Sequence, residues 1–380
     1  MPTIDLVYFN AGGGHRAAAL ALEASLAEQR PHWQVRLVNL TDVLDPQDLF
    51  RRLTGIGPED IYNKRLARGW TLGLAQELKL LQGVIRLGHA QLVKRLASHW
   101  ARSEPDLVVS LIPNFNRALH EGLATACPGV PYVTVLTDLA DHPPNFWIET
   151  GQRQHFICGT PRAVSQALAA GHAPACVHAT SGMILRPGFY RQPAIDRAAE
   201  RAGWRLDADR PTGLVLFGGH GSKAMDGIAR QLHDVQLILL CGHNQALERR
   251  LRALPASAPR VVLGFTSEIP YWMRLADFFI GKPGPGSVSE AVQQRLPVIV
   301  TCNAWTMPQE RYNAQWIREH GAGVVLPSFR GVRAAVQRVA DGLESYRERL
   351  AKIDNRAVFE IPAILDGIWQ RESAAIDARA

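Results

Sequence analysis

The chain has 380 residues, 47% of them hydrophobic and 20% charged, a globular composition that excludes a disordered or low-complexity protein. Single cores stop growing at roughly 250–300 residues, so two domains are expected. A formal net charge of +7 suits a nucleic acid, an anionic membrane or a phosphorylated ligand. The positive charge is spread out and no nucleic-acid module is recognisable, which ranks nucleic acid low. The five cysteines form no C-x-x-C pair, so neither a disulfide framework nor a zinc site is expected, and a reduced cytosolic compartment fits. No secretory signal pattern opens the chain and no run of about 18 apolar residues exists.

The chain opens with a strand at 4–9, the glycine-rich turn 10–15 and an Ala/Leu-rich helix at 16–29, followed by a strand at 35–40. Strand, Gly turn, helix and strand begin a parallel α/β unit. His15 closes that turn at a helix N-terminus, which disfavours imidazolium, so a neutral ring suited to accept a proton is expected there. Next comes a basic stretch, 51–100, with nine Lys or Arg against three acidic residues and with Trp70 and Trp100. Basic amphipathic helices bearing Trp suit an anionic bilayer interface, or else cover the N-terminal sheet. Strands follow at 106–112, 132–138, 155–160 and 176–181. The strand at 132–138 ends on Asp138, placed to orient His15 or cap the next loop, and His142 is a second base candidate.

Strands stop and Pro and charge accumulate at 186–211, where the join between two α/β halves is expected. The pattern restarts with strands at 213–219, 235–242, 260–265, 277–284 and 297–302, and with helices at 287–295 and 331–353. Two of those strands run into glycine-rich turns. One is 217-FGGHGS-222, with Gly219, His220 and Ser222 as phosphate contacts. The other is 283-PGPGSVSEA-291. There Gly284 and Gly286 allow close approach, a helix begins at Ser287 or Val288 with free N–H groups for an anion, and Glu290 stands one turn in to accept from ribose hydroxyls. Ligands of open α/β sheets sit at the carboxyl ends of the strands, so the two turns should converge. The one D-x-D, Asp207 and Asp209, is read as solvated loop.

The stretch 261–300, with Gly264-Phe265, Ala276-Asp277 and Lys282-Pro-Gly-Pro-Gly-Ser-x-x-Glu-Ala, resembles the donor domain of the GT-B family that contains the bacterial lipid II N-acetylglucosaminyltransferase and the monogalactosyldiacylglycerol synthases. The turn 10–19, the stretch 134–147, the segment 178–190 and the piece 60–70 resemble elements of the same family. Pro283, Ser287, Met183 and Leu185 are mild departures from it. The resemblance implies two Rossmann-like domains facing a central cleft. Residues 1–190 would bind acceptor and carry the insert at about 51–100; residues 191–380 would bind the UDP-sugar, with the last helix a candidate to pack back on the N-terminal domain. It implies that Phe265 reads uracil through its backbone, that the turn with Gly284, Gly286 and Ser287 holds the diphosphate, that Glu290 holds ribose, and that Gln309 and Glu310 read the sugar; Gly14, Gly219, His220, Ser222 and Val288 are further donor-binding candidates. His15 and Asp138 would be catalytic. The implied chemistry is inverting hexose transfer from a UDP-sugar to a lipid, foremost diacylglycerol, with no cofactor or bound metal, by a peripheral protein on the cytoplasmic face of the membrane. Alternatives are a soluble or polyprenyl-linked acceptor, a UDP-sugar 2-epimerase, and a non-enzymatic nucleotide-sugar sensor.

Overall fold

The computed structural model describes residues 1–10, 13–45, 82–191 and 194–377. Ala11, Gly12 and the 46–81 part of the basic stretch, Trp70 included, lie outside the described residues. The described chain divides into two compact units, one of residues 1–45, 82–187 and 355–377, the other of residues 188–354.

The first unit is built on a six-stranded, wholly parallel sheet of β1 (Thr3–Tyr8), β2 (Gln34–Asn39), β3 (Leu107–Ser110), β4 (Tyr132–Val135), β5 (His155–Cys158) and β6 (Val177–Ala179). The order is β2-β1-β3-β4-β5-β6, so the chain reverses its direction of travel between β1 and β3. Runs such as 107-LVVS-110 and 132-YVTV-135 are buried throughout, because helices cover both faces of a parallel sheet. Those helices are α1 (Gly14–Gln29), the short α2 (Leu40–Leu44), α3 (His89–Ser103), α4 (Asn116–Ala126) and α5 (Pro161–Ala169). The last helix of the chain, Ala357–Asp377, also belongs here: Ile361, Leu365 and Ile368 share one core with Leu22 and Leu26 of α1, and Arg30 pairs with Asp366 at 3.0 Å.

Helix α3 corrects one expectation. Trp100, read with Trp70 as an interfacial aromatic, is only 1% exposed and packs with Leu96 and Leu119. A Cβ on Gly122 of α4 would stand 2.7 Å from the Leu96 Cβ, so α3 and α4 touch almost backbone to backbone. The apolar stripe of α3 is core; its Lys94 and Arg95 remain exposed.

The second unit repeats the design with β7 (Thr212–Leu216), β8 (Gln236–Leu240), β9 (Arg260–Leu263), β10 (Phe278–Gly281), β11 (Val298–Thr301) and β12 (Gly323–Leu326), in the order β12-β11-β10-β7-β8-β9. Its helices are α6 (Arg197–Gly203), α7 (Ala224–Gln231), α8 (Gln245–Ala253), α9 (Ile269–Leu275), α10 (Pro285–Gln293), α11 (Arg311–Glu319), α12 (Val332–Asp341) and α13 (Leu343–Leu350). The expected helix over 331–353 is thus two helices. Gly342 ends the first and begins the second, since a glycine inside a helix costs conformational entropy. The four-residue edge strand β12 was not anticipated; its run is too short to carry a period. Asp207 and Asp209 are exposed, and Asp207 accepts from the Asp209 amide at 3.0 Å.

Asp277 is the electrostatic anchor of this unit. One carboxylate oxygen takes Arg197 Nη2 and Arg347 Nη2, each at 2.7 Å, and the other takes Arg201 Nη2 at 2.6 Å and the Thr212 amide at 2.8 Å. Burial alone would raise its pKa, yet the hydrogen bond and charge of Arg197, with Thr212 and Arg201, hold it below the ordinary carboxylate range. The sign follows: a depressed folded pKa contributes stability present above the unfolded value and lost as pH falls through the folded one. Asp277→Ala should cost about 3–5 kcal/mol, because it strands buried guanidinium charge. Urea unfolding at neutral pH measures that loss, and the gap between wild type and variant should narrow as pH drops below about 4.

Candidate active site

In each sheet the switch point lies beside the first strand, and the chemistry gathers at the carboxyl ends there. In the second unit β7 and β10 are neighbours, with Leu216 opposite Gly281, so the turns 217–222 and 282–286 emerge side by side. Helix α10 begins earlier than expected. Gly284, not Ser287, is the N-cap residue, with Pro285 at the first helical position. Proline is preorganised for that place and supplies no N–H. The Val288 amide already bonds the Gly284 carbonyl at 3.0 Å, and the Val288 side chain is fully buried, so Val288 offers a ligand nothing. The free donors are the amides of Gly286 and Ser287 and the Ser287 hydroxyl, which has no partner among the described residues. Gly286 is exposed, and a Cβ there would meet nothing within 4 Å. Half-buried Glu290 stands three residues after Ser287, on the same face of the helix.

The turn rests on a buried support. Lys282 pairs with Glu310 at 2.9 Å, and Asn313 Nδ2 donates to the Pro283 carbonyl at 2.8 Å. Glu310, expected to read a sugar, is 4% exposed and holds the turn from below; Gln309 beside it is half-buried and its amide points to Met307 Sδ at 3.7 Å. Lys282 was passed over in the sequence, because nothing local shows that a lysine will pair with a carboxylate 28 residues away.

The other turn is folded on itself. Gly218 and Gly221 take positive φ of 69° and 62°, and Gly218–His220 form one short 3-10 turn. The Gly219 carbonyl accepts from the His243 amide at 2.8 Å, with Gly242 so close that a Cβ would fall 2.1 Å from that oxygen. The Ser222 hydroxyl accepts from the Ala224 amide at 3.2 Å and so serves α7. Phe265, after β9, is 62% exposed and stacks on His243 with 4.2 Å between ring centroids; the His220 ring lies 6.0 Å from His243. Sequence inspection missed His243, although it follows a strand and a glycine in 240-LCGHN-244.

In the first unit, Gly14 and His15 are the first two residues of α1, at the end of β1. The half-buried His15 turns its Nδ1 to Thr137 Oγ1 at 3.1 Å. Burial drives its pKa down to about 4, against a smaller upward pull from a hydrogen bond to the Leu111 carbonyl. Leu111 itself follows β3, the strand across the switch point. Asp138 is buried and accepts the Trp147 Nε1–H at 2.8 Å; Trp147 in turn lies 6.0 Å from the His15 ring. Thr137, missed in the sequence although adjacent to Asp138, is therefore the side chain that meets the ring of the base candidate, and Asp138 positions the Trp147 wall. Asp141 fixes the following loop by accepting the amides of Asn145, Phe146 and Trp147 at 2.7–2.9 Å, and half-buried His142 lies on that loop.

Two parallel sheets, each with its ligand edge at a first-strand switch point, define the GT-B class of fold. In agreement, solved structures of MurG from Acinetobacter baumannii (TM-score 0.61, 14% identity, 97% of this chain and all of that one) and of Anabaena HepE with UDP-glucose (TM-score 0.51, 15% identity, all of both chains) share it. Residues 215–357 match the glycosyltransferase family 28 C-terminal domain. A probable monogalactosyldiacylglycerol synthase 2 of Oryza sativa subsp. japonica is 28% identical over 277 residues, 68% of this chain and 56% of the relative. Monogalactosyldiacylglycerol synthase 3 of Arabidopsis thaliana is 25% identical over 386 residues, 94% of this chain and 77% of the relative. The chain spans little more than half the length of the rice relatives it matches, 55–56%. In sequence it is similar to the monogalactosyldiacylglycerol synthases, and in fold to MurG and other GT-B structures.

The His15 imidazole should stay neutral until about pH 4. Its depressed folded pKa contributes stability that is complete above about pH 6.5 and lost between there and about pH 4. Nitrogen-detected NMR of the histidine rings checks this, and a His15 midpoint near 6.5 would contradict the placement.

Proposed function

We propose that this chain is an inverting glycosyltransferase that moves a hexose from a UDP-sugar to a lipid hydroxyl, most of all that of diacylglycerol. The observation that carries the reading is the unengaged donor set of Gly286 and Ser287 at the N-terminus of α10, held in place by Lys282 on the buried Glu310 carboxylate. A diphosphate is what such a helix end favours, and developing charge on a leaving diphosphate gains more there than the bound ground state does. Glu290 is placed to accept from the ribose hydroxyls, with the exposed Phe265 at the nucleoside end. His15, kept neutral by burial, takes the proton of the attacking hydroxyl. The HepE structure holds UDP-glucose in the same fold, which supports a nucleotide-sugar donor.

The lipid acceptor rests on the monogalactosyldiacylglycerol synthase relatives and on a local surface feature. Val84 and Leu87 are 57% and 92% exposed, next to exposed Arg86 and ahead of exposed Lys94 and Arg95. Apolar side chains that water cannot favour, flanked by cations, suit an anionic bilayer surface, here on its cytoplasmic side.

Purified protein given UDP-glucose, UDP-galactose and UDP-N-acetylglucosamine with diacylglycerol liposomes should form one glycolipid, identified by mass. Conversion of the UDP-sugar without acceptor would instead mark an epimerase. His15→Ala should lower kcat by about 10²–10⁴-fold while leaving UDP affinity unchanged. The Val84→Glu/Leu87→Glu double variant should sediment less with anionic liposomes; equal sedimentation would remove this surface from the membrane contact.

A further inference from the structure

At the opposite edge of the second unit's sheet, a pocket of about 690 Å³ lies between the ends of α9 and α10 and the side of α13. Arg197, Arg274, Arg295 and Arg347 line it, with Glu344 and Glu348 the two carboxylates of the lining. It sits by Ala276 and Leu296, ahead of β10 and β11, whereas the donor turns leave the far ends of those strands. It is therefore a separate place in the same domain.

We propose that this pocket binds a phosphate group, as a second anion site. Two of its arginines are fixed before any ligand arrives. Arg197 and Arg347 are each clamped to one Asp277 oxygen at 2.7 Å, and Arg197 also donates through Nε to the Arg274 carbonyl at 2.9 Å, which leaves Arg197 Nη1 without a partner among the described residues. A clamped fork loses little entropy on meeting a phosphate. The other two have no acceptor: neither the Arg274 nor the Arg295 guanidinium makes a hydrogen bond or ion pair among the described residues. Glu344 reaches Arg347 only at 3.9 Å and is 79% exposed, so it neutralises little.

Arg295 stands where the backbone would favour glycine. Its φ is 57°, and it follows α10 in a closing turn in which the Arg295 amide bonds Val292 and the Leu296 amide bonds Ala291. Helices that end this way place glycine at that residue, because a Cβ is strained there. An exposed, strained arginine without a partner among the described residues, lining a pocket with three more, points to a role for its side chain.

The test compares wild type with the Arg274→Gln/Arg295→Gly double variant, neither residue touching Asp277. The probes are inorganic phosphate, glycerol 3-phosphate, and phosphatidylcholine vesicles with and without phosphatidylglycerol, all with saturating UDP so that the donor turn is occupied. Without probe, the variant should melt no lower than wild type, since glycine relieves the strain at residue 295. Phosphate-dependent protection against thermal unfolding should then weaken about tenfold or more in the variant. Loss with the two soluble probes assigns a soluble phosphate ligand, and loss confined to phosphatidylglycerol vesicles assigns a lipid headgroup. Protection by every probe that is equal in the two proteins, or no binding of any probe by wild type, overturns the site. Because UDP binding and transfer use the other edge of the sheet, these outcomes are independent of the transferase reading.

Discussion

The Asp277 carboxylate holds the second unit together at the point where its topology turns. It lies one residue before β10 and bonds the first amide of β7, so it ties the starts of the two strands that flank the switch point. A strand pair joined at its start, in register from Phe278 opposite Gly213 to Gly281 opposite Leu216, must deliver its two ends together. The glycine turns are neighbours for that reason. Three arginines around one buried carboxylate would be a poor way to gain stability alone, since desolvation offsets much of the Coulomb gain. What the cluster does supply is a single allowed register at the foot of the ligand edge.

The two ligand edges solve opposite electrostatic problems. In the second unit the proposed diphosphate needs positive potential without a mobile cation. Backbone amides at the start of α10 meet it, and the lysine nearest them is already committed to Glu310. In the first unit the proposed reaction needs a base that carries no proton at neutral pH. Burial of His15 meets it, with the Leu111 carbonyl and Thr137 holding the ring in place. A charged imidazolium there would be doubly disfavoured, by lost solvation and by the helix end on which it sits.

Much of this was legible in the residues. The β-branched and apolar runs marked eleven of the twelve strands among the described residues, because parallel strands buried on both faces read as unbroken hydrophobic segments. Glycine turns after strands marked both edges. What escaped notice depends on residues far apart in the chain. Glu310 reads as a sugar contact until Lys282 is brought beside it, and Trp100 reads as interfacial until α4 covers it. The helix start shifted from Ser287 to Pro285 because serine is a strong cap by preference, while proline at the first helical position, with glycine before it, satisfied the same geometry. Asp138 followed the same rule: its partner, the Trp147 indole, arrives from a loop held by Asp141 and by the Asn116 side chain.

Helix α10 connects the two edges of its sheet. At 1.5 Å per residue its nine residues span about 13 Å, with free amides at one end and carbonyls at the other. The macrodipole favours an anion at the first end and a cation at the second. Arginines near the second end are thus expected on helix electrostatics alone, and that accounts for one or two of them. It does not account for four around a single pocket, nor for the strained backbone at Arg295. Arg197 and Arg201 already serve the carbonyls of Arg274, Leu275 and Ala276 at the end of α9. The Arg274 and Arg295 guanidiniums are left beyond what those carbonyls and Asp277 require, and that surplus distinguishes an anion pocket from a capped helix end.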